Sequence, residues 1–266
     1  LDLIRGQGGG LDLRGQSVAV NVVLRKDGGT AFTWEALLEQ DFDSGPLTPR
    51  GTLSATQSWG RTQVNLGLDI RRFFFGNPAD EVLFEANSEN PEAPLEISEN
   101  RAEYERTKGN EVNTNINTET RINETVIHFN GEVNVQTREF IERSERLAIA
   151  PGSLLRNVNQ DQDRDRFRLE IGADVEWPLN SAISAKAITL YRLEDDERLT
   201  SISTLDDDPA LIRTADTDNR TTETIGRMEF DYVAWDQHTI ELDLEGAFNT
   251  LENELVLTRD EGNGPE

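Results

Sequence analysis

The sequence has no cysteine, which excludes both a disulfide framework and a thiolate metal site. It has no long apolar run either. No stretch reaches the ~18 apolar residues that a membrane helix needs, so this chain can cross a membrane only as a β-barrel. Basic residues are outnumbered, 26 Lys and Arg against 51 Asp and Glu, for a net charge of −25. That balance repels nucleic acid, and no basic run offsets it. The first residues show neither a basic n-region nor an apolar h-region, so no secretory signal is visible.

Catalytic and metal-binding patterns are missing as well. The two histidines, His128 and His238, lie on separate segments without metal-ligand spacing and read as lumen or turn residues. The run Asp161-Gln162-Asp163-Arg164-Asp165 starts like a calcium loop, but Arg166 stands where the glycine belongs and Gly172 where the closing Glu belongs. Asp206, Asp207 and Asp208 read as a solvated acidic loop, and a carboxylate pair such as Asp195-Asp196 needs a cleft before it can do chemistry. There is no nucleophile elbow, phosphate loop or dinucleotide fingerprint. The expectation is a protein that is not an enzyme and holds no cofactor or metal.

What the sequence does have is alternation. Apolar residues make up 35% and mean hydropathy is −0.60. A barrel reads as this hydrophilic because each apolar residue has a polar neighbour along the strand. From residue 30 onward about nine segments alternate with period two. Phe32, Trp34, Ala36 and Leu38 open the series. Leu53, Ala55 and Trp59 then oppose Thr52, Ser54, Thr56 and Ser58, and Val64, Leu66, Leu68 and Ile70 oppose Gln63, Asn65, Asp69 and Arg71. Further segments set Val112, Ile116 and Thr118 against Glu111, Asn113 and Asn115, Ile127, Phe129 and Val133 against His128, Asn130 and Glu132, and Phe167, Leu169 and Ile171 against Arg166, Arg168 and Glu170. A seventh covers residues 181–193. The last two carry Met228, Phe230 and Tyr232, then Ile240, Leu242, Leu244 and Phe248.

Short turns near residues 60, 123, 179 and 236 alternate with long polar loops near 73–100, 144–163 and 194–219, as in a barrel whose tight turns share one side. The four tryptophans, Trp34, Trp59, Trp177 and Trp235, lie at short-turn ends or at the entry strand and read as one aromatic girdle at a membrane–water boundary. Rows of Asn, Gln, Glu and Arg on the second face suit a watered or plugged lumen, because in a dry core each of those groups would need a partner.

The first 29 residues carry the most specific signal. Leu3-Ile4-Arg5-Gly6 is followed by a glycine-rich link and then by Val20-Asn21-Val22-Val23-Leu24-Arg25-Lys26, a strand apolar at nearly every position. Gly10-Leu11-Asp12-Leu13-Arg14-Gly15 forms part of the link. This stretch resembles the end of the plug domain of TonB-dependent outer-membrane receptors. It departs from that pattern in having Gln7 in place of the usual proline and in lacking a double glycine before the last strand.

The resemblance implies an all-β chain: residues 1–29 as the C-terminal part of a plug domain, and residues 30–266 as the N-terminal part of an antiparallel transmembrane β-barrel. It implies a fragment of a receptor in the outer membrane of a Gram-negative bacterium, with the signal, the TonB box and most of the plug upstream. Such a receptor imports a scarce small-molecule ligand, for which siderophore, vitamin, metal chelate and oligosaccharide all fit. Its partners are the TonB energy-transducing complex, outer-membrane lipid and lipopolysaccharide. The long loops would contact the ligand. Charge complementarity pairs Arg5, Arg14, Arg25 and Lys26 of the plug with Glu132, Glu170, Asp174, Glu241 and Asp243 of the lumen wall. Two other classes fit the alternation: a passive or structural outer-membrane barrel, and a secreted β-rich carbohydrate-binding module.

Overall fold

The computed structural model describes residues 2–5, 18–21, 29–40, 45–85, 96–148, 155–204, 211–235 and 238–260, and all regular structure among them is β-strand. Two short strands, β1 (Asp2–Arg5) and β2 (Val18–Asn21), pair antiparallel with Leu3 opposite Val20. A separate sheet holds nine strands: β3 (Thr30–Glu39), β4 (Thr48–Trp59), β5 (Thr62–Glu85), β6 (Glu96–Ile122), β7 (Thr125–Ala148), β8 (Leu155–Pro178), β9 (Ile183–Thr204), β10 (Leu211–Trp235) and β11 (His238–Asp260). Their order in space is their order in the chain, and each runs antiparallel to the next.

Residues opposite one another in an antiparallel pair share a face, so the register sorts the side chains. One row joins Leu66, Ile116, Gly131, Ile171, Tyr191, Thr224 and Phe248. The adjacent row, on the other face, joins Gly67, Asn115, Glu132, Glu170, Arg192, Glu223 and Asn249. The sheet therefore has one apolar and one polar face, divided as the alternation predicts.

The apolar face is the uncovered one. Leu66 and Ile70 are each 49% exposed and Trp59 is 60% exposed, and Ala185 is the sole buried hydrophobic residue among the described residues. A water-soluble sheet buries its apolar face against a second layer, and no second layer stands on this sheet among the described residues. Glycines show which way the sheet bends. A Cβ added on the polar face at Gly67, Gly109 or Gly172 would collide with Asn115, with Thr137 O and the Phe73 ring, or with Asn130, respectively. On the apolar face, a Cβ at Gly51, or at Gly226 or Gly246, which stand opposite one another, would meet nothing within 4 Å, and one at Gly131 would lie 3.2 Å from Ile116. Side chains converge on the polar face and diverge on the apolar face, as they do when a sheet curves with its polar side inward.

Tight connections lie at one end of the sheet. Gly60-Arg61 joins β4 to β5 and Asn123-Glu124 joins β6 to β7. Gly60 and Asn123 both adopt φ +57°, the positive value that favoured two-residue hairpin turns require at their first central position and that Gly and Asn tolerate best. At the β8–β9 turn, Asn180 Oδ1 accepts from the backbone N–H groups of Ala182 and Ile183 at 2.8 and 3.0 Å.

The line of tight turns is oblique to the strands. Trp59, at the end of β4, shares a row with Thr62, Thr120, Ile127, Val175, Ala187, Met228 and Leu244. Leu244 lies six residues beyond His238, where β11 starts. Six residues along the strand is about 20 Å, and seven strand spacings are about 34 Å, so the strands incline by about 30° to the normal of the turn line. That is close to the tilt of closed barrels. On β8 the apolar-face positions run from Phe167 to Trp177, about 33 Å along the strand and about 28 Å upright at this tilt. Outer-membrane barrels carry an apolar band about 25 Å tall.

Nine strands in this region match the sequence expectation; their lengths do not. The long loops expected near 73–100, 144–163 and 194–219 are largely strand. β5 continues to Glu85 and β6 starts at Glu96, β7 reaches Ala148 and β8 starts at Leu155, and β9 reaches Thr204 before β10 begins at Leu211. On β8 both faces are polar beyond the apolar band, so hydropathy alternation stops there while backbone pairing with β7 and β9 continues. Asp161, Gln162, Asp163, Arg164 and Asp165 accordingly lie within a regular strand rather than a cation loop.

Candidate functional site

The polar face carries a network of charged side chains built from alternate residues of neighbouring strands. Near the tight turns it is acidic, and it holds the lumen residues singled out from the sequence. Glu132 accepts from Asn113 Nδ2 at 2.9 Å, Glu170 from Arg192 Nη2 at 2.8 Å, and Asp243 from Arg227 Nη2 at 2.8 Å. His128 Nδ1 lies 2.7 Å from Asp174 Oδ2, and Glu241 stands opposite Asp231. Glu132 and Glu170 are direct cross-strand neighbours, bordering a cavity of about 270 Å³ that Arg168, Arg192 and Glu194 also line. The expected lumen acids thus share one face, where Glu170 and Asp243 draw on arginines of their own sheet. Of their expected plug partners, Arg5 lies in β1 opposite Val18. Its side chain, and Arg14, Arg25 and Lys26 altogether, fall outside the described residues.

Further from the tight turns, just past the apolar band, the same face becomes basic. Arg138, Arg164 and Arg198 stand side by side in one row across β7, β8 and β9. The next row adds Arg166 and the one after adds Arg168, both on β8. Arg164 donates from Nε and Nη2 to the two carboxylate oxygens of Asp196 at 2.7 and 2.5 Å. Arg166 and Arg168 share Glu194, the latter at 2.9 Å from Nε. The Arg164 guanidinium holds the Asp196 carboxyl below the usual carboxylate range, overcoming the burial that would raise it. Arg138 and Arg198 make no hydrogen bond or ion pair among the described residues, and the covered Nε of each is unpartnered.

An aromatic rim adjoins the arginine row. Phe73 belongs to the same row and is separated from Arg138 only by Gly109. The Phe73 ring occupies the space that a Gly109 side chain would take. It stacks with Phe75 at 6.1 Å between centroids. Phe140, two residues beyond Arg138 on β7, lies in the row with Phe75.

Sequence reading found no basic patch because these arginines are far apart in the chain. Only the register of three strands assembles them. The local signal that was available is the charge alternation Asp163-Arg164-Asp165-Arg166 on β8, which sends acid and base to opposite faces. Asp195 and Asp196 likewise face opposite ways on β9 and do not form a carboxylate pair. Among the described residues no group of three or more His, Cys, Asp or Glu side chains could hold a metal ion. The acidic triplet Asp206, Asp207 and Asp208 lies outside them.

Three of the girdle tryptophans are described in full. Trp34 (opposite Leu53), Trp59 (opposite Thr62) and Trp177 (opposite Ala185) all lie on the apolar face. Trp59 and Trp177 end their strands at the tight turns, while Trp34 sits within β3. Trp235 pairs with His238 at the β10–β11 turn, and its side chain is outside the described residues.

No protein-family model matches the chain, and no curated protein matches it. Among solved structures the chain was aligned to OmpT (in-vitro folded), an outer membrane protein of Vibrio cholerae, at 10% identity, over 86% of this chain and 96% of that one, with a TM-score of 0.12. A score that low carries no argument about fold or function.

Proposed function

We propose that the nine-stranded sheet is wall of a transmembrane β-barrel in a bacterial outer membrane, with its polar face lining the lumen. The observation that carries this reading is the exposed apolar band, whose height and tilt suit a bilayer while the inward face is charged. Within hydrocarbon no strand edge can stay unpaired, so the free edges of β3 and β11 require pairing with strands beyond these nine. On this reading the protein is an energised importer of a scarce ligand of the TonB-dependent kind. Support for that step comes from the Leu3-Ile4-Arg5-Gly6 and Val20-Asn21-Val22-Val23 segments, whose cores pair as β1 and β2, and from a lumen wall rich in acids that could seat a basic plug.

The membrane reading is tested by folding the chain into lipid vesicles that carry bromine at defined acyl depths. Strong tryptophan quenching by shallow bromines and resistance to carbonate extraction are expected; a folded chain that stays in the aqueous phase would overturn it. The importer reading is tested by ligand uptake in cells with and without the TonB complex. Uptake unaffected by its loss would leave a passive barrel.

A further inference from the structure

We propose that the Arg138–Arg164–Arg198 row is a binding site for a solute bearing an oxyanion, phosphate or carboxylate, attached to an apolar body. Like charges set directly opposite one another across strands are unfavourable, and here three occupy consecutive strands. Asp196 is hydrogen-bonded to Arg164 and only near enough to Arg198 and Arg168 to attract them through space. Arg138 and Arg198 have no hydrogen-bonded or ion-paired acceptor among the described residues; their Nε groups are covered, as are those of Arg106 and Arg227, while the side chains as wholes are only half-buried.

The other nearby acids are turned away. Asp165 and Glu197, direct neighbours of Arg164 and Arg198 in the chain, continue with Asp218 and Glu254 as one row on the opposite face. That acidic outer row also argues against a lipid headgroup as the ligand, because headgroups would meet the outer face. The strands of Arg138 and Arg198 are about 10 Å apart, within the joint reach of two arginine side chains closing on one polyanion. Guanidinium forks suit phosphate and carboxylate oxygens bidentately. Phe73, Phe75 and Phe140 at one end supply an apolar surface for the rest of the solute.

The site lies in a lumen only if the barrel reading holds, but its chemistry can be tested apart from insertion. The full chain folded in detergent micelles would be titrated with inorganic pyrophosphate by calorimetry. Saturable binding is expected. Arg138→Gln and Arg198→Gln should each weaken it about tenfold, the worth of one charge-assisted hydrogen-bonding group. Arg50→Gln, whose partner is Asp69 on β5, should leave it unchanged. Phenyl phosphate should bind more tightly than inorganic phosphate, and Phe73→Ala should remove that difference. Should a glutamine variant fail to fold, Arg138→Lys and Arg198→Lys keep the charge, lose the fork, and should bind more weakly than wild type. Absence of saturable binding, or equal affinity in wild type and the arginine variants, overturns the site while leaving the membrane reading intact. Saturable, arginine-dependent binding by a folded chain that never inserts into vesicles would keep the site and overturn only its place in a lumen.

Discussion

Arg164 on β8 grips Asp196 on β9 through two hydrogen bonds, at 2.7 and 2.5 Å, while Asp165 and Glu197, the next residue of each strand, stand opposite one another on the other face. Four charged side chains on two strands are thus arranged so that the ion pair forms on the inner face and the unmatched carboxylates point outward. The sheet is polarised through its thickness at this level, just past the apolar band.

The inner pair gives a pH prediction. Asp196 is held below its usual carboxylate range by Arg164, so its contribution to stability is present in full above the unfolded value of about 3.9 and is lost as pH falls through the lower folded value. Urea unfolding of Asp196→Asn in detergent should show a deficit against wild type that is constant above about pH 5 and shrinks below about pH 4. A double-mutant cycle with Arg164→Gln should give a coupling of about 1 kcal/mol at neutral pH. A deficit that does not change with pH would separate the stability effect from the ion pair.

Crowding on the inner face gives a second prediction, from two glycines on opposite faces. A methyl group at Gly109 would run into Thr137 O, which is backbone and cannot swing aside, and into the Phe73 ring. One at Gly226 meets nothing within 4 Å. Gly109→Ala should destabilise the fold by about 1–3 kcal/mol, as overpacking does. Gly226→Ala should be neutral or slightly stabilising, because alanine loses less backbone entropy on folding. Equal effects at the two positions would mean that Thr137 and Phe73 do not crowd Gly109 as described.

Most of the wall was legible in the sequence because its physical signal is local. Ile127, Phe129, Val133 and Val135 against His128, Asn130, Glu132 and Asn134 assign both a strand and its two faces without any knowledge of neighbours. Strand ends were not legible. Residues 159–166 place Asn and Asp on one face and Gln and Arg on the other, so both faces are polar, no hydropathy contrast marks them, and only pairing with β7 and β9 shows that β8 continues there. The arginine row was invisible for a different reason. Arg138, Arg164 and Arg198 are brought together by register alone, and a slip of one residue in either pairing would send one of them to the apolar face.

The division into faces can be tested with one charge placed on either side of a single peptide bond. Leu66 lies in the apolar row with Ile116, Gly131 and Ile171, and is 49% exposed. Asn65, the preceding residue, points to the other face and its side-chain oxygen accepts from Thr56 Oγ1 at 2.8 Å. Arginine at the midplane of a lipid-facing band costs about 2–4 kcal/mol, whereas a lumen position solvates it. Leu66→Arg should therefore sharply lower the fraction of chain that folds into vesicles and resists extraction. Asn65→Arg should cost no more than the two hydrogen bonds it removes, from Thr56 and Gln63, about 1 kcal/mol each. If the two variants insert equally well, the exposed apolar face does not meet lipid. If Asn65→Arg is the damaging one, the sheet is turned the other way, with its apolar face against protein.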